Sequence, residues 1–193
     1  MTNKKPFKAG MHVFCKNHGL GFVTDVSEID IMDQVIRCFD IFFERDNLKI
    51  SVPEEKMHSI GIRRLADKSV ANDVMKIFRS ESKGMRVIWS KRSKEYEQKL
   101  YSGDIFVTSE VVRDLYKNSL NPSRSYSERV IFEKALERVC SELAAIQDKS
   151  LEDVFNEVCK TLSVFQETFD SPEELDDSID ASSDLDSKLD MVG

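Results

Sequence analysis

The stretch VIRCFDIFFERDNLKISVP, residues 35–53, is the part of the sequence that most directly indicates a fold. Residues 35–44 are rich in Ile, Phe and Val, Asp46-Asn47 is a turn signal, and residues 48–52 alternate apolar and polar side chains before Pro53. Two such runs joined by a turn are typical of neighbouring antiparallel strands. Because successive side chains of a strand point to opposite faces, one ring of Phe42-Phe43 is expected in the core and the other on the opposite layer.

The same kind of pattern extends towards the N-terminus. Met11–Phe14 alternates weakly, His18-Gly19-Leu20-Gly21 predicts a turn, and Phe22–Ile31 alternates again. Short strands joined by tight turns over about 60 residues predict a small SH3-like β-barrel. Gly19 and Gly21 are expected to serve the turn at positive φ. A phosphate-binding loop is excluded, because the third glycine is missing and a strand follows.

From about residue 67 the apolar residues repeat at helical spacing. Ser69 predicts the cap of a helix over Val70–Phe78, Asn118–Arg124 predicts a loop, and Ser125-Tyr126-Ser127-Glu128 is a capping box that opens a long helix. A last helix begins near Ser150. The pattern predicts an α+β chain in which a β-barrel, residues 1–65, is followed by an all-α helical bundle, residues 66–169.

The acidic balance of the chain belongs to its C-terminal end. The formal net charge is −7, but residues 144–193 alone hold 3 basic and 14 acidic side chains, a balance of −11. Residues 170–193 carry nine acidic residues and one Lys, which predicts a disordered acidic tail. The overall acidity therefore says little about the partners of the rest of the chain.

The four cysteines, Cys15, Cys38, Cys140 and Cys159, include no Cys-x-x-Cys pair. The N-terminus lacks an apolar signal stretch, and no run approaches the ~18 apolar residues needed to span a bilayer. We therefore expect reduced, mostly buried thiols in a cytoplasmic protein without membrane contact.

No pattern in the sequence organises catalysis. His12, His18 and His58 all fall in the β part, and none belongs to a recognisable nucleophile motif or to a set of metal ligands at the usual spacing. A lone histidine of this kind is far more often structural than catalytic. We predict a protein that is not an enzyme and that needs no metal or cofactor.

Residues 83–94, KGMRVIWSKRSK, form what we call the basic segment: five basic residues, no acidic one, and Trp89, the only tryptophan of the chain. Two interpretations are open. In the first, Trp89 is a half-buried anchor at the start of a helix and the basic residues are its solvated collar. In the second, the basic side chains neutralise phosphates while the aromatic ring presses on an opened base step of a nucleic acid.

Several elements, taken in order, resemble the CarD/CdnL family of bacterial transcription regulators over about residues 6–147. The matching elements are Phe7-Lys8-Ala9-Gly10 with Val13 and His18-Gly19-Leu20-Gly21, Leu48-Lys49-Ile50-Ser51-Val52-Pro53 with Gly61-Ile62-Arg63, Trp89-Ser90-Lys91-Arg92, Tyr96, Lys99-Leu100, Ser102-Gly103-Asp104, Glu110-Val111-Val112-Arg113-Asp114-Leu115, Ser127-Glu128, Ala135 and Glu142-Leu143-Ala144. Each element alone is weak, whereas the ordered set is specific.

The resemblance implies a Tudor-like N-terminal domain that docks on the β subunit of RNA polymerase. It also implies a helical domain that contacts promoter DNA in the minor groove at the upstream edge of the transcription bubble. There the family's tryptophan, matched by Trp89, wedges into the DNA and hinders bubble collapse. Lys91 and Arg92 would hold phosphates, and Arg86 and Lys94 of the same segment are further candidates for DNA contact.

One departure affects the polymerase contact. The family often has an arginine just before Val-Pro, and Ser51 stands in that place here. Arg37, Arg45 and Lys49 are then the candidates that supply the charge beside Ser51, and docking is expected to be partly strand-to-strand through an exposed edge. We expect a monomer. The alternative function is a protein-interaction module that binds polymerase or another protein without productive DNA contact.

Overall fold

The computed structural model describes residues 7–31, 34–82, 89–119 and 125–170. Five antiparallel strands form one Tudor-like sheet in the order β4-β3-β2-β1-β5. The strands are β1 (His12–Cys15), β2 (Gly19–Ile31), β3 (Gln34–Phe43), β4 (Leu48–Pro53) and β5 (Ile62–Arg64). The helices are α1 (Met57–Ile60), α2 (Ser69–Phe78), α3 (Trp89–Leu100), α4 (Ile105–Ser119), α5 (Tyr126–Gln147) and α6 (Leu151–Asp170). The predicted fold class, a Tudor-like sheet followed by a helical region, is confirmed.

The strand pair predicted from residues 35–53 is present as β3 and β4, joined by a turn in which Asn47 has φ of 46°. Phe43 is fully buried in the sheet core, whereas the Phe42 ring is partly exposed on the other face. The predicted division of the two rings between the layers is therefore confirmed. It follows from the two-residue repeat of a strand.

The turn predicted at residues 18–21 was misplaced. It lies at residues 16–18, and both Gly19 and Gly21 belong to β2. Gly19 has φ of 79°, as expected of a turn glycine, but Gly21 is required for a different reason. A Cβ atom on Gly21 would lie 2.6 Å from Cε1 of Phe43, so only glycine lets the core ring pack against the strand.

Two helix boundaries also differ from the sequence prediction. Ser69 is the first residue of α2 rather than its cap, because the Val70 amide already donates to the Asp67 carbonyl at 3.0 Å. Helix α4 continues through Ser119, so residues 118 and 119 of the predicted loop belong to the helix, within the usual uncertainty of helix ends, and residues 120–124 lie outside the described residues. The cap of α5 is confirmed, since the Ser125 hydroxyl accepts a hydrogen bond from the Glu128 amide. None of the described helices is both long and apolar enough to cross a bilayer.

The helical region packs on the sheet through a polar junction. Buried apolar side chains form two separate clusters, one in the sheet and one among the helices. Between the clusters lie Arg63 of β5 and Arg138 of α5, each of which hydrogen-bonds to the other part of the molecule. A charged group in such a place needs several well-formed hydrogen bonds, which makes its geometry specific.

Candidate nucleic-acid and protein interfaces

Helix α3 carries the described half of the basic segment. Trp89 is its first residue, and Lys91 and Lys94 are exposed on it, whereas Arg92 is half-buried. Lys91 and Lys94 are three residues apart and share one face of the helix. Tyr96 and Leu100 are buried on the opposite face and attach α3 to the bundle. The predicted DNA residue Arg86 lies outside the described residues.

The chain leading into the basic segment is tied to α4 by a buried ion pair. Arg113 Nη2 lies 2.8 Å from Asp114 Oδ1, and both side chains are almost fully buried. Arg113 Nη1 donates to the Ser80 hydroxyl at 2.8 Å, and the Ser82 hydroxyl donates to Asp114 Oδ1 at 3.0 Å. Two serines directly before the basic segment are thus held by two charged side chains of one helix.

Tyr96 extends this attachment on the other side of the basic segment. Burial raises the pKa of the Tyr96 hydroxyl, the Asp114 carboxylate raises it further, and the Arg92 guanidinium acts in the opposite direction. The Tyr96 side chain is also almost fully buried in the helical core, so the helix that continues the basic segment is packed into the bundle. The basic segment is therefore attached to the bundle both before and after Trp89.

A second cluster lies on the outer face of β3 and β4. Asp40 and Ser51 are direct partners in the strand register, and Lys49 Nζ lies 3.0 Å from Asp40 Oδ2. A hydrogen bond from Ser51, followed by the hydrogen bond and charge of Lys49, lowers the pKa of the Asp40 carboxyl. Ser51, which stands where the family often has an arginine, therefore donates a hydrogen bond to Asp40. Lys49 lies beside it and is 59% exposed.

The other two residues predicted for polymerase binding lie elsewhere. Arg37 Nη1 is 4.0 Å from Glu54 Oε2, and its guanidinium lies over the Phe39 ring, on the opposite face of β3 from Asp40. Arg45 Nε is 3.2 Å from Glu137 Oε1 of α5. The structure brings Lys49 and Ser51 together and leaves Arg37 and Arg45 apart from them.

The histidines gain one contact that the sequence did not indicate. His18 Nδ1 lies 2.7 Å from Asp46 Oδ2, and its ring packs against Phe43. The bond joins the β1–β2 turn to the β3–β4 turn across 28 residues of sequence. Within the described part of the chain, no group of three or more His, Cys, Asp or Glu side chains could hold a metal ion.

Comparison with known proteins gives the family of the chain. Residues 7–66 match the family model described as CarD-like/TRCF RID domain, and residues 73–159 match the model of the CarD C-terminal domain. The chain belongs to the CarD-like family. It is also similar to a protein of Bacillus subtilis (strain 168) named "Putative transcription factor YdeB", with 26% identity over 141 residues, 73% of this chain and 92% of the relative.

Membership of the CarD-like family makes transcription regulation the general role of this chain. Sequence reasoning had singled out Trp89, Lys91, Arg92 and Lys94 from their composition and order. It missed the attachment of the basic segment through Ser80, Ser82 and the Arg113–Asp114 pair. An arginine beside an apolar stripe gives no sign in the sequence that it is buried, and its partner Ser80, just after α2, lies 33 residues away.

Proposed function

We propose that this CarD-like protein docks on the β subunit of bacterial RNA polymerase through its sheet and stabilises the open promoter complex through α3. In this proposal Trp89 wedges into the minor groove at the upstream edge of the bubble. Lys91, Arg92 and Lys94, together with Arg86, hold phosphates beside it. The role is one of binding rather than of catalysis.

The observation that carries the proposal is how α3 packs on the bundle and which side chains it leaves exposed. The helix begins at Trp89, presents Lys91 and Lys94 to solvent, and is attached to the bundle through buried Tyr96 and Leu100. Exposed cations at the start of a helix can neutralise phosphates and release counterions. A wedge must also resist the tendency of the opened base step to close, which requires a rigid support such as the buried network on α4.

The sheet offers one edge for a protein partner. Strand β4 is paired with β3 alone among the described strands, while the opposite edge, β5, adjoins the helical region through Arg63. An edge strand of this kind can accept an extended segment of a partner by strand addition. Lys49 and Ser51 lie on β4 itself, so we assign them the main part in polymerase docking. Arg37 and Arg45 are less favourably placed for it.

The two contacts depend on each other energetically. A wedge and a few phosphate contacts bind DNA weakly by themselves, and attachment to polymerase raises their effective concentration at the promoter. A ligand shifts an equilibrium only by its difference in affinity for the two states. The protein therefore favours the open complex because its wedge binds opened DNA better than closed duplex.

The decisive experiment replaces Trp89 with alanine. We expect Trp89→Ala to lose stabilisation of the open complex, measured as its lifetime after addition of a competitor, while core polymerase is still retained in a pull-down assay. Phe155→Ala, which removes a partly exposed aromatic ring from α6, is the matched control and should behave like the wild type.

Two results would contradict the proposal in different ways. A Trp89→Ala protein that stabilises promoters as well as the wild type would show that the wedge is wrong. Polymerase binding without any Trp89-dependent footprint at the upstream bubble edge would instead favour a protein-interaction module that lacks productive DNA contact.

A further inference from the structure

We propose that Arg63 and Arg138 are positioning residues that fix the C-terminal end of α3 to the sheet, and so set where the N-terminal end of α3 lies relative to the docking edge. This inference rests on the proposed function, because it assigns a task to the junction between the two interfaces. It concerns residues that touch neither DNA nor polymerase in that proposal.

Arg138 joins the sheet to the last residue of α3. This residue of α5 is only 5% exposed. Its Nη1 atom donates to the Lys16 carbonyl at 2.7 Å and to the Leu100 carbonyl at 3.0 Å, and Nη2 donates to the Asn17 carbonyl at 2.8 Å. The guanidinium also lies over the Tyr101 ring, with Cζ 4.9 Å from its centroid. One side chain thus holds the β1–β2 turn against the end of α3.

Arg63 makes the corresponding connection from β5. Its Nη1 and Nη2 atoms donate to the two carboxylate oxygens of Glu142 at 2.6 and 2.9 Å, and Nε donates to the Gly103 carbonyl at 2.6 Å. Glu142 is 1% exposed, and burial raises the pKa of its carboxyl although the Arg63 hydrogen bonds act in the opposite direction. The loop that follows α3 is therefore held by a second arginine.

The backbone at this junction is closely packed as well. Gly103 has φ of 80°, and a Cβ atom there would lie 3.3 Å from the Lys16 Cβ. The α3–α4 loop and the β1–β2 turn therefore approach each other more closely than most side chains allow. The two guanidinium groups converge on this contact from β5 and from α5.

Arginine suits such a junction better than lysine does. The guanidinium group presents five donors in a rigid plane, so several bonds fix its orientation, whereas an ammonium group is a point charge on a flexible stem. Arg138 bonds the β1–β2 turn and the last residue of α3, and Arg63 bonds Glu142 of α5 and Gly103 in the loop that follows α3. The planar hydrogen-bond pattern of the two guanidinium groups consequently fixes the orientation of the helical region relative to the sheet.

The length of α3 makes this orientation important. Its 12 residues span roughly 18 Å at 1.5 Å per residue. If the whole helical region rotated by ~10° about the junction, from which α3 extends, Trp89 would move by about 3 Å relative to the sheet, close to the ~3.4 Å spacing of bases along a strand. A loose junction would therefore displace Trp89 by about one base step, even if α3 and the docking strand β4 were themselves unchanged.

Arg63→Lys and Arg138→Lys test the inference, because each keeps the charge and loses the planar pattern. Arg129→Lys, the same change at an exposed position of α5, is the matched control. The structural measurement uses electron–electron resonance between spin labels on cysteines introduced at Glu55 and Gln98, both exposed, with Cys159 replaced by serine. We expect the distance distribution to be narrow in the parent and in Arg129→Lys, and at least twice as broad in the two junction variants.

The functional measurement is made on full-length chains without labels. Both junction variants should keep polymerase binding in the pull-down assay and shorten the open-complex lifetime at least threefold, towards the Trp89→Ala value. Far-UV circular dichroism verifies folding. Should Arg138→Lys lose its native spectrum, Arg63→Lys decides, since the Arg63 side chain is 32% exposed and tolerates the change better.

The possible failures are distinguishable. Unchanged distance distributions in both variants overturn the inference whatever happens on DNA. Broadened distributions with a normal open-complex lifetime, in an assay where Trp89→Ala shortens it, also overturn it. If Trp89→Ala has no effect, the proposed function fails, and the distance distributions alone then show whether the arginines fix the junction.

Discussion

Charged side chains at the junction between sheet and helices differ in one essential respect from those on α3 and β4. Arg138 and Glu142, the partner of Arg63, are buried and bonded within the protein, whereas Lys91 and Lys94 are exposed on α3. Burying a charge without a partner strongly destabilises the fold. Buried charges are therefore paired, and each pair connects two specific parts of the protein. An exposed charge gains little from a neighbour in water and stays available for phosphate. Burial, rather than the number of charges, separates residues that fix the geometry from residues that bind partners.

The strongest test of this comparison removes one member of a buried pair. Arg113→Met keeps most of the volume of the side chain but leaves Asp114 buried without its partner. We expect the free energy of unfolding to fall by about 3–5 kcal/mol, as is typical when a buried pair is broken. Urea denaturation followed by circular dichroism measures it.

The control for that test breaks an exposed pair of similar length. Lys149→Ala removes the 2.8 Å contact with Glu157, in which both side chains are more than 40% exposed. The change should be within about 1 kcal/mol, as for most exposed pairs. If the free energy of unfolding fell equally in Arg113→Met and Lys149→Ala, burial would not determine how much a charged pair contributes to stability.

A smaller effect is expected from the exposed lysines of α3. The double change Lys91→Gln and Lys94→Gln should leave stability nearly unchanged and weaken DNA binding. Each phosphate contact contributes about 0.9 to the slope of log affinity against log salt, so the slope should fall by about 2. Fluorescence anisotropy over a salt series gives this slope. Lys149→Gln is the matched control, and an equal slope for all three proteins would remove Lys91 and Lys94 from the DNA interface.

The cluster on the outer face of β3 and β4 predicts a change in a pKa. Ser51→Ala should raise the pKa of Asp40 towards the usual range of an aspartate, because the Ser51 hydrogen bond is the largest cause of the lowered value. A lowered carboxyl pKa stabilises the fold above the unfolded value, and that contribution is lost as the pH falls through the folded value. In the variant the contribution shrinks, and what remains of it is lost at a higher pH.

Carbon-13 NMR titration of the Asp40 carboxyl measures this change directly. Lys49→Met is the comparison, and it should also raise the pKa, because the lysine contributes both a hydrogen bond and a charge to the Asp40 carboxylate. If Lys49→Met raised the pKa more than Ser51→Ala did, Lys49 rather than the Ser51 hydroxyl would be the main cause of the lowered pKa of Asp40.

The smallest effect is expected for the chemical labelling of Cys140 and Cys159 in the native protein. Burial raises the pKa of Cys140 to about 12, and it also raises the pKa of the half-buried Cys159. Since the thiolate is the reactive form, the native protein at pH 8 should show slow labelling at Cys159 and almost none at Cys140. Mass spectrometry after iodoacetamide treatment checks this, with all four cysteines labelled in urea. Rapid labelling of Cys140 in the native protein would mean that the helical core opens.

Local patterns account for what could be predicted from the sequence. Alternation located β3 and β4 and divided Phe42 from Phe43, and a serine followed three residues later by a glutamate located the start of α5. The ordered motifs also led to the CarD-like family. The alternation and the cap each lie within a few residues of chain, where the repeat of a strand or helix decides which side chains are buried. Each motif of the family set is equally short, and only their order extends along the chain.

Contacts between distant segments could not be predicted in this way. Arg63 and Glu142 are 79 residues apart, and His18 and Asp46 are 28 residues apart, so neither pair leaves a local pattern. The cap assigned to Ser69 failed because a backbone bond starts the helix earlier. The helix that carries Tyr96 and Leu100 was predicted correctly, whereas the contact of Trp89 with DNA stays a prediction.

The edge strand β4 also affects how the protein behaves towards copies of itself. A sheet edge that accepts a strand from another protein accepts one from an identical chain equally well, and such pairing can continue from molecule to molecule. Lys49 carries a charge along this edge, and Pro53 has no amide hydrogen to donate at its end. Both features discourage edge-to-edge pairing of sheets in concentrated solution. A chain that carried an apolar residue at 49 and lacked the proline would be expected to seed filaments.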